Sequence, residues 1–382
     1  MINIKILDRW MRFRVLILLC INLGCVPHAQ AAVGQMLTDS FFQNPADLGL
    51  VNKQQLILGN FFVASSLEFT GTAFGGTGQA NSNVVDFLPY LLADIRVSDK
   101  WVLGFNAVPT EYGDLNWPID SIVSHDSTVT KVYYYLLGFQ SSFQLTDRIT
   151  LGLGLHLRYN YLAELDAVVG NLGNEVNKAS ALNNGLDAGL SYKLTPKHTF
   201  VAAFYTPVNR FGKGTSTLGN VTSNTFQLNL VEAAVVFAGL QHQFTEQWFV
   251  EEKVFWSNWT VQNSTILKNT TRGSFTYPTN WGDTWSYMMA TEYAFTEKVA
   301  GLASAFYETN PAPNSTNAIG YPLAPVVFLS GGLDIALYKN WRMQLVYGYG
   351  FFVPNAIIDN GSSKGTITNS TQAGTLQFSY KI

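Results

Sequence analysis

From Ile149 to Tyr161 the chain alternates strictly. Ile149, Leu151, Leu153, Leu155, Leu157, Tyr159 and Tyr161 fall on one face of an extended strand, and Thr150, Gly152, Gly154, His156, Arg158 and Asn160 fall on the other. Residues 341–351 repeat the pattern, with Trp341, Met343, Leu345, Tyr347, Tyr349 and Phe351 set against Arg342, Gln344, Val346, Gly348 and Gly350. At the C-terminus Leu376, Phe378, Tyr380 and Ile382 alternate with Gln377, Ser379 and Lys381. A period of two, with large apolar residues on one side and small or polar ones on the other, is the demand of a wall that has lipid outside and a lumen inside. The chain also ends on its apolar face, as barrel-assembly signals do, although Phe is the more usual last residue.

Polar turns punctuate the strands at nearly even intervals. They read Val97-Ser98-Asp99-Lys100-Trp101, Leu145-Thr146-Asp147-Arg148-Ile149, Leu194-Thr195-Pro196-Lys197-His198, Phe244-Thr245-Glu246-Gln247-Trp248, Phe295-Thr296-Glu297-Lys298-Val299 and Leu337-Tyr338-Lys339-Asn340-Trp341. Their third residues, 99, 147, 196, 246, 297 and 339, are 48, 49, 50, 51 and 42 positions apart. Each is short enough only for a hairpin. Between them lie two strand-like runs joined by a longer Gly/Ser/Thr/Asn-rich stretch. Short turns at one end and long loops at the other are the outer-membrane pattern. Six turns join twelve strands, and one strand before and one after give fourteen. The expected fold is therefore an all-β, 14-stranded antiparallel transmembrane barrel over residues 55–382, with both termini on the periplasmic side.

The N-terminus fits export. Lys5, Arg9, Arg12 and Arg14 precede a short apolar core from Val15 to Cys25, and Ala29-Gln30-Ala31 supplies a cleavage site, so residues 1–31 read as a signal peptide. Both cysteines, Cys20 and Cys25, lie in that leader, which leaves the remainder without a disulfide or thiolate site. Removing the leader takes away four of 23 basic residues and one of 26 acidic ones, and the resulting 19 against 25 gives a net charge of −6. That balance argues against a nucleic-acid partner. Charged residues make up 13% of the chain and aromatic residues 14%, an unusual ratio for a water-facing surface. No stretch after residue 31 reaches the ~18 apolar residues of a spanning helix. A closed barrel is then the structure that satisfies every backbone group in lipid.

Tryptophans mark the membrane borders. Trp101, Trp248 and Trp341 directly follow turns, whereas Trp256 and Trp259 lie roughly 20 and 28 Å above Trp248 at about 3.3 Å per residue and a tilt near 40°. Glu252 breaks the scheme. It shares the parity of Trp248 and Trp256 and should face lipid, unless a bulge turns it inward or it pairs with Lys253 or a neighbouring strand.

Several short segments, taken in order, resemble the FadL-type outer-membrane transporters of long-chain fatty acids and other hydrophobic compounds. Asn44-Pro45-Ala46 is similar to the Asn-Pro-Ala of that family's N-terminal hatch. Leu228-Asn229-Leu230 with Glu232, Glu246-Gln247-Trp248, Trp256-Ser257-Asn258-Trp259, Trp281-Gly282-Asp283-Thr284-Trp285 and Pro311-Ala312-Pro313 match its later strands and loops. The resemblance runs over essentially the whole mature chain and implies a hatch, here shortened to residues 32–54, inside a fourteen-stranded barrel. Two departures accompany it: Val231 replaces the Pro before Glu232, and Pro322-Leu323-Ala324-Pro325 lacks the charges usual near the twelfth strand.

The resemblance also suggests sites. Pro109, followed by Thr110 and Gly113 in the third strand, corresponds to an inward kink that opens a gap in the barrel wall; alternatively Pro109 merely ends the strand, because proline cannot donate to a ladder. Asn44, Pro45 and Ala46 would touch that strand, or form a plain turn at the barrel mouth. Phe41 and Phe42 would fill the lumen or anchor the segment. Inward-facing Arg158 and His156 would bind a substrate carboxylate, or pair structurally with Glu232, Asp187 or Glu292.

Catalysis is not expected. His198 and His242 lie beside turns and His125 in a loop, leaving His156 without a nucleophile at recognisable spacing. No two histidines are close in sequence or share a strand, so neither a metal nor a cofactor is expected. The expected function is passive uptake of hydrophobic small molecules, fatty acids or hydrocarbons, by a monomer inserted by the barrel-assembly machinery among outer-membrane lipid and lipopolysaccharide. A general diffusion porin for polar solutes is the alternative.

Overall fold

The computed structural model describes residues 43–51 and 54–381; the proposed signal peptide, Phe41 and Phe42 lie outside these. The chain opens with a 3-10 helix, Pro45–Leu50. Six long strands follow: β1 (Gln54–Ala73), β2 (Gly76–Ser98), β3 (Trp101–Asn116), β4 (Val129–Gln144), β5 (Ile149–Val168) and β6 (Asn174–Thr195). The next four staves are each broken in two, as β7 (His198–Tyr205) with β8 (Val208–Leu218), β9 (Val221–Glu232) with β10 (Val235–Gln243), β11 (Trp248–Ser257) with β12 (Ser264–Thr270), and β13 (Gly273–Pro278) with β14 (Thr284–Ala294). Then come β15 (Val299–Glu308), β16 (Val326–Ala336), β17 (Trp341–Phe352), the short β18 (Ala356–Asp359) and β19 (Lys364–Lys381). Neighbours pair antiparallel all the way round, and β1 closes on β19 from Gln55↔Lys381 to Thr72↔Lys364. Counting each broken stave once and setting β18 aside gives the fourteen expected.

The tight turns share a local cause. In three of them the N–H of the residue after the turn donates to a threonine hydroxyl, Ile149 to Thr146, Trp248 to Thr245 and Val299 to Thr296, at 3.0 to 3.1 Å. Meanwhile the N–H of Leu145, Phe244 or Phe295 reaches back to the carbonyl of that same residue at 2.9 to 3.0 Å. A Thr at the second turn position thus satisfies a donor that the ladder has released.

The polarity of the barrel is inverted relative to a water-soluble protein. On β5, Leu153 is 67% exposed while Arg158 is 1% exposed. Every other strand that alternates does so in the same sense, so the outward surface is Leu, Phe, Tyr and Trp, and the inward one carries the polar groups. Near the short-turn end, Trp101 Nε1 donates to Ser141 at 2.7 Å and Trp248 Nε1 to Thr291 at 2.9 Å. At the far rim Trp256 Nε1 donates to Asp283 at 3.2 Å. Amphipathic rings at both borders bracket the apolar band.

No bulge rescues Glu252. It faces outward, 58% exposed, and its carboxylate lies 3.5 Å from His242 Nε2 on β10, while Lys253 points inward to Glu251 at 3.1 Å. His242 in turn lies 2.8 Å, Nδ1 to Nδ1, from His198 on β7. Histidines forty-four residues apart in sequence are direct partners in the ladder, a proximity that no spacing along the chain displays.

Candidate functional site

The 3-10 helix lies on the inner face of β3 to β6. Asn44 caps it, accepting from the Ala46 N–H at 3.0 Å, and its amide donates to the Leu190 carbonyl at 3.1 Å. Pro45 follows, where its fixed φ suits a helix start and its missing N–H is not needed. Ser142 donates to the Ala46 carbonyl at 3.2 Å and Ser191 to Asp47 at 3.0 Å, while Arg96 holds the carbonyls of Gly49 and Val51 at 2.7 Å. Room for this plug comes from missing side chains. A Cβ on Gly152 would fall 2.3 Å from the Pro45 carbonyl carbon, and one on Gly189 would fall 2.0 Å from Asn44 Oδ1. Asn44, Pro45 and Ala46 are buried here, and the helix that they open packs chiefly on β4, β5 and β6 and less on β3.

Above the plug the lumen is crossed by ionic and amide groups. His156 Nδ1 lies 3.1 Å from Asp187 Oδ1, Gln140 donates to the other oxygen of Asp187 at 2.9 Å, and Asn106 donates to Gln140 at 3.2 Å. Arg158 Nε lies 3.3 Å from Glu232, and Arg210 reaches the same carboxylate at 2.6 Å while lying 3.5 Å above the Tyr134 ring. Arg158 and His156 therefore face two of the acids open to them from sequence, Glu232 and Asp187. Glu292 sits elsewhere, toward Asp334, Arg342 and Lys381. Burial of Arg158, Arg210 and Glu232, and of Asp187, is tolerable because these charges are matched within their clusters.

Toward the long-loop end the lumen opens into a cavity of about 610 Å³. Its walls include Leu165, Leu228, Leu230, Leu267, Phe275 and Trp281, with Arg210 and Arg272 among its polar residues. Arg272 is matched by Glu175 at 2.7 Å. The loop after β15 covers one side, where Tyr321 stacks on Trp281 with ring centroids 6.3 Å apart. A Cβ on Gly113 would stand 3.3 Å from that same Tyr321, so the cavity wall touches β3.

The β3 region carries the main break in the wall. The β2–β3 ladder runs from Ser98↔Trp101 up to Leu91↔Ala107 and stops. Continued two residues further, its register would set Pro89 against Pro109. Neither can donate an N–H, so both banks lose a donor at the same height. On its other side β3 stays paired with β4 but slips at Pro109/Glu111, leaving Thr110 as the extra residue, its buried hydroxyl without a partner among the described residues. Pro109 thus does not end β3, which runs on to Asn116. Pro89, which sequence reasoning passed over, is detectable as a proline within an alternating strand, but its facing residue is not.

A closed fourteen-stave barrel, apolar outside, with a short helix docked in a partly apolar lumen, is the architecture of an outer-membrane β-barrel. The sequence profile of the family described as outer membrane protein transport protein (OMPP1/FadL/TodX) matches residues 28–381, and the chain belongs to that family. Among solved structures it resembles a Pseudomonas aeruginosa FadL homologue, with 16% identity, a TM-score of 0.79 and coverage of 90% of this chain and 94% of that one. It is also similar to the P. putida toluene transporter TodX, with 17% identity, a TM-score of 0.71 and the same coverages. The Ralstonia pickettii toluene transporter TbuX aligns with 16% identity, a TM-score of 0.70, and 94% and 98% coverage. No curated protein sequence matches the chain.

Proposed function

We propose that this protein carries small hydrophobic molecules across the outer membrane's lipopolysaccharide face, taking them into the long-loop cavity and releasing them sideways between β2 and β3. The loss of the ladder beyond Leu91↔Ala107, where two prolines would meet, is the observation that carries the reading. The cavity supports capture, because an apolar guest leaving water gains about 0.8 kcal/mol per methylene and its wall reaches β3 through Tyr321. Below it, the Arg158–Glu232 and His156–Asp187 pairs and the docked plug obstruct the straight path. Desolvating an apolar guest through a charged layer gains nothing, so a side exit is favoured. Two similar structures are of toluene transporters, which fits an uncharged hydrocarbon. A fatty-acid carboxylate at Arg158 or His156 would have to displace Glu232 or Asp187.

In this reading residues 32–54 are the hatch, the short-turn end and both termini face the periplasm, and the protein is inserted by the barrel-assembly machinery and works as a monomer. A general porin fits poorly with a lumen occupied by plug and ion pairs. Proteoliposomes test the choice. Labelled toluene should equilibrate faster than in protein-free vesicles while sugars cause no swelling; rapid sugar-driven swelling would sink the hydrophobic-substrate reading.

A further inference from the structure

Beyond Leu91↔Ala107 the two banks of the seam are tied by side chains. Tyr112 Oη on β3 donates to Asp86 Oδ2 on β2 at 2.6 Å. Tyr133 Oη on β4 lies 2.8 Å from Asp86 Oδ1 and 2.8 Å from Asp114 Oδ2. Higher up, the Asn116 N–H donates to Ser82 Oγ at 2.7 Å. Tyr112 and Tyr133 are direct ladder partners beyond the Thr110 bulge, so both phenols lie on one face. Their rings sit 5.7 Å apart, and Tyr133 stacks on Tyr161 at 5.3 Å, making an aromatic panel beside the seam. Asp86 lies between Val85 and Phe87, which are 66% and 63% exposed on the lipid side.

By alternation Asp86 turns inward, where a half-buried carboxylate needs hydrogen-bond donors to offset its desolvation. Apolar packing would seal the seam without it. What a carboxylate adds is a closure made of the Tyr112 bond and a share of the Tyr133 proton, two side-chain contacts that part more readily than a continuous ladder. We propose that Asp86, Tyr112 and Tyr133 form a clasp across the seam that decides how readily, and how large, a guest leaves sideways. The inference rests on the lateral-exit reading, since without side exit the clasp has nothing to regulate. The three residues do not bind the guest in the cavity; they set the width of its way out.

The test removes the bonds and keeps the rings. In Tyr112→Phe/Tyr133→Phe, the initial uptake of toluene by proteoliposomes should rise by about tenfold, the equivalent of ~1.4 kcal/mol of lost closure, and a bulky probe such as pyrene should become permeant. A heat-modifiable band on gels verifies the folded barrel. In the opposite direction, Asp86→Cys/Tyr112→Cys bridged by a short bismaleimide should block uptake; the two native cysteines, Cys20 and Cys25, both lie in the proposed leader. A third measurement does not depend on transport: Val108→Cys, buried beside the seam, should react faster with a membrane-dissolved maleimide when both tyrosines are Phe. If the wild type carries no toluene, the transport reading fails while this labelling still judges the clasp. A folded double-Phe variant with unchanged or slower uptake and unchanged labelling overturns the clasp, as does a bridged pair that still transports.

Discussion

Gly152 and Gly189 take their meaning from what lies opposite them. Each leaves space that the plug backbone or the Asn44 side chain fills, so Gly152→Val should eject the plug at an overpacking cost of about 1–3 kcal/mol. The expected result is a barrel that still shifts on heating but becomes cleavable by protease within residues 43–51. Asp47 adds a pH response. Burial pushes its carboxyl up to about 6, against the counteracting Lys253 and the hydrogen bonds from Ser191 and Asn44, with Glu251 adding to the rise. A raised acid prefers its protonated form when docked. Docking is therefore tightest below the ordinary carboxylate range and weakens as pH rises through about 6. A spin label at Val51 should report greater mobility at pH 8 than at pH 4, and Asp47→Asn should flatten that difference. In the sequence Gly152 is only a small inward residue and nothing singles out Gly189, because the segment they face is a hundred or more positions away.

At the scale of elements, the alternation within each strand was legible and its pairing was not. Pro109 stood out because a proline inside a strand forfeits a ladder bond. Its counterpart Pro89 went unremarked, since only the register makes the two coincide. Glu252 shows the same limit: its outward parity was readable, but its partner His242 was not. Restoring both donors with Pro89→Ala/Pro109→Ala should extend the β2–β3 ladder, gain about 1 kcal/mol per recovered bond, raise the melting temperature and slow uptake. Pro109→Ala alone should do less of each. A higher melting temperature with undiminished uptake would remove the seam from the route.

The whole molecule is organised by depth, with the docked helix toward the short-turn end, the buried ion pairs and an apolar cluster sharing the middle, and the loop-lined cavity toward the long-loop end. The middle layer draws Phe61, Leu88, Val108, Leu136, Phe237 and Met288 from strands all round the wall. Its outward face sets the solvent it needs. The mature protein should stay dispersed only with detergent or lipid, and its heat-modifiable form should be lost when detergent is removed; a freely soluble, monodisperse chain would overturn the membrane fold itself.

Local repetition sufficed for the strand number, the turn positions and the inside-outside polarity, because a period of two and a six-fold turn motif are properties of neighbouring residues. Closure also followed, since an open edge in lipid leaves backbone groups unsatisfied. What only the tertiary structure decided is which inward charges neutralise one another, where the plug sits, and where two banks of the wall fail to bond. Those depend on contacts between residues far apart in the chain, and a strand's own pattern carries no record of the register at which its neighbour arrives.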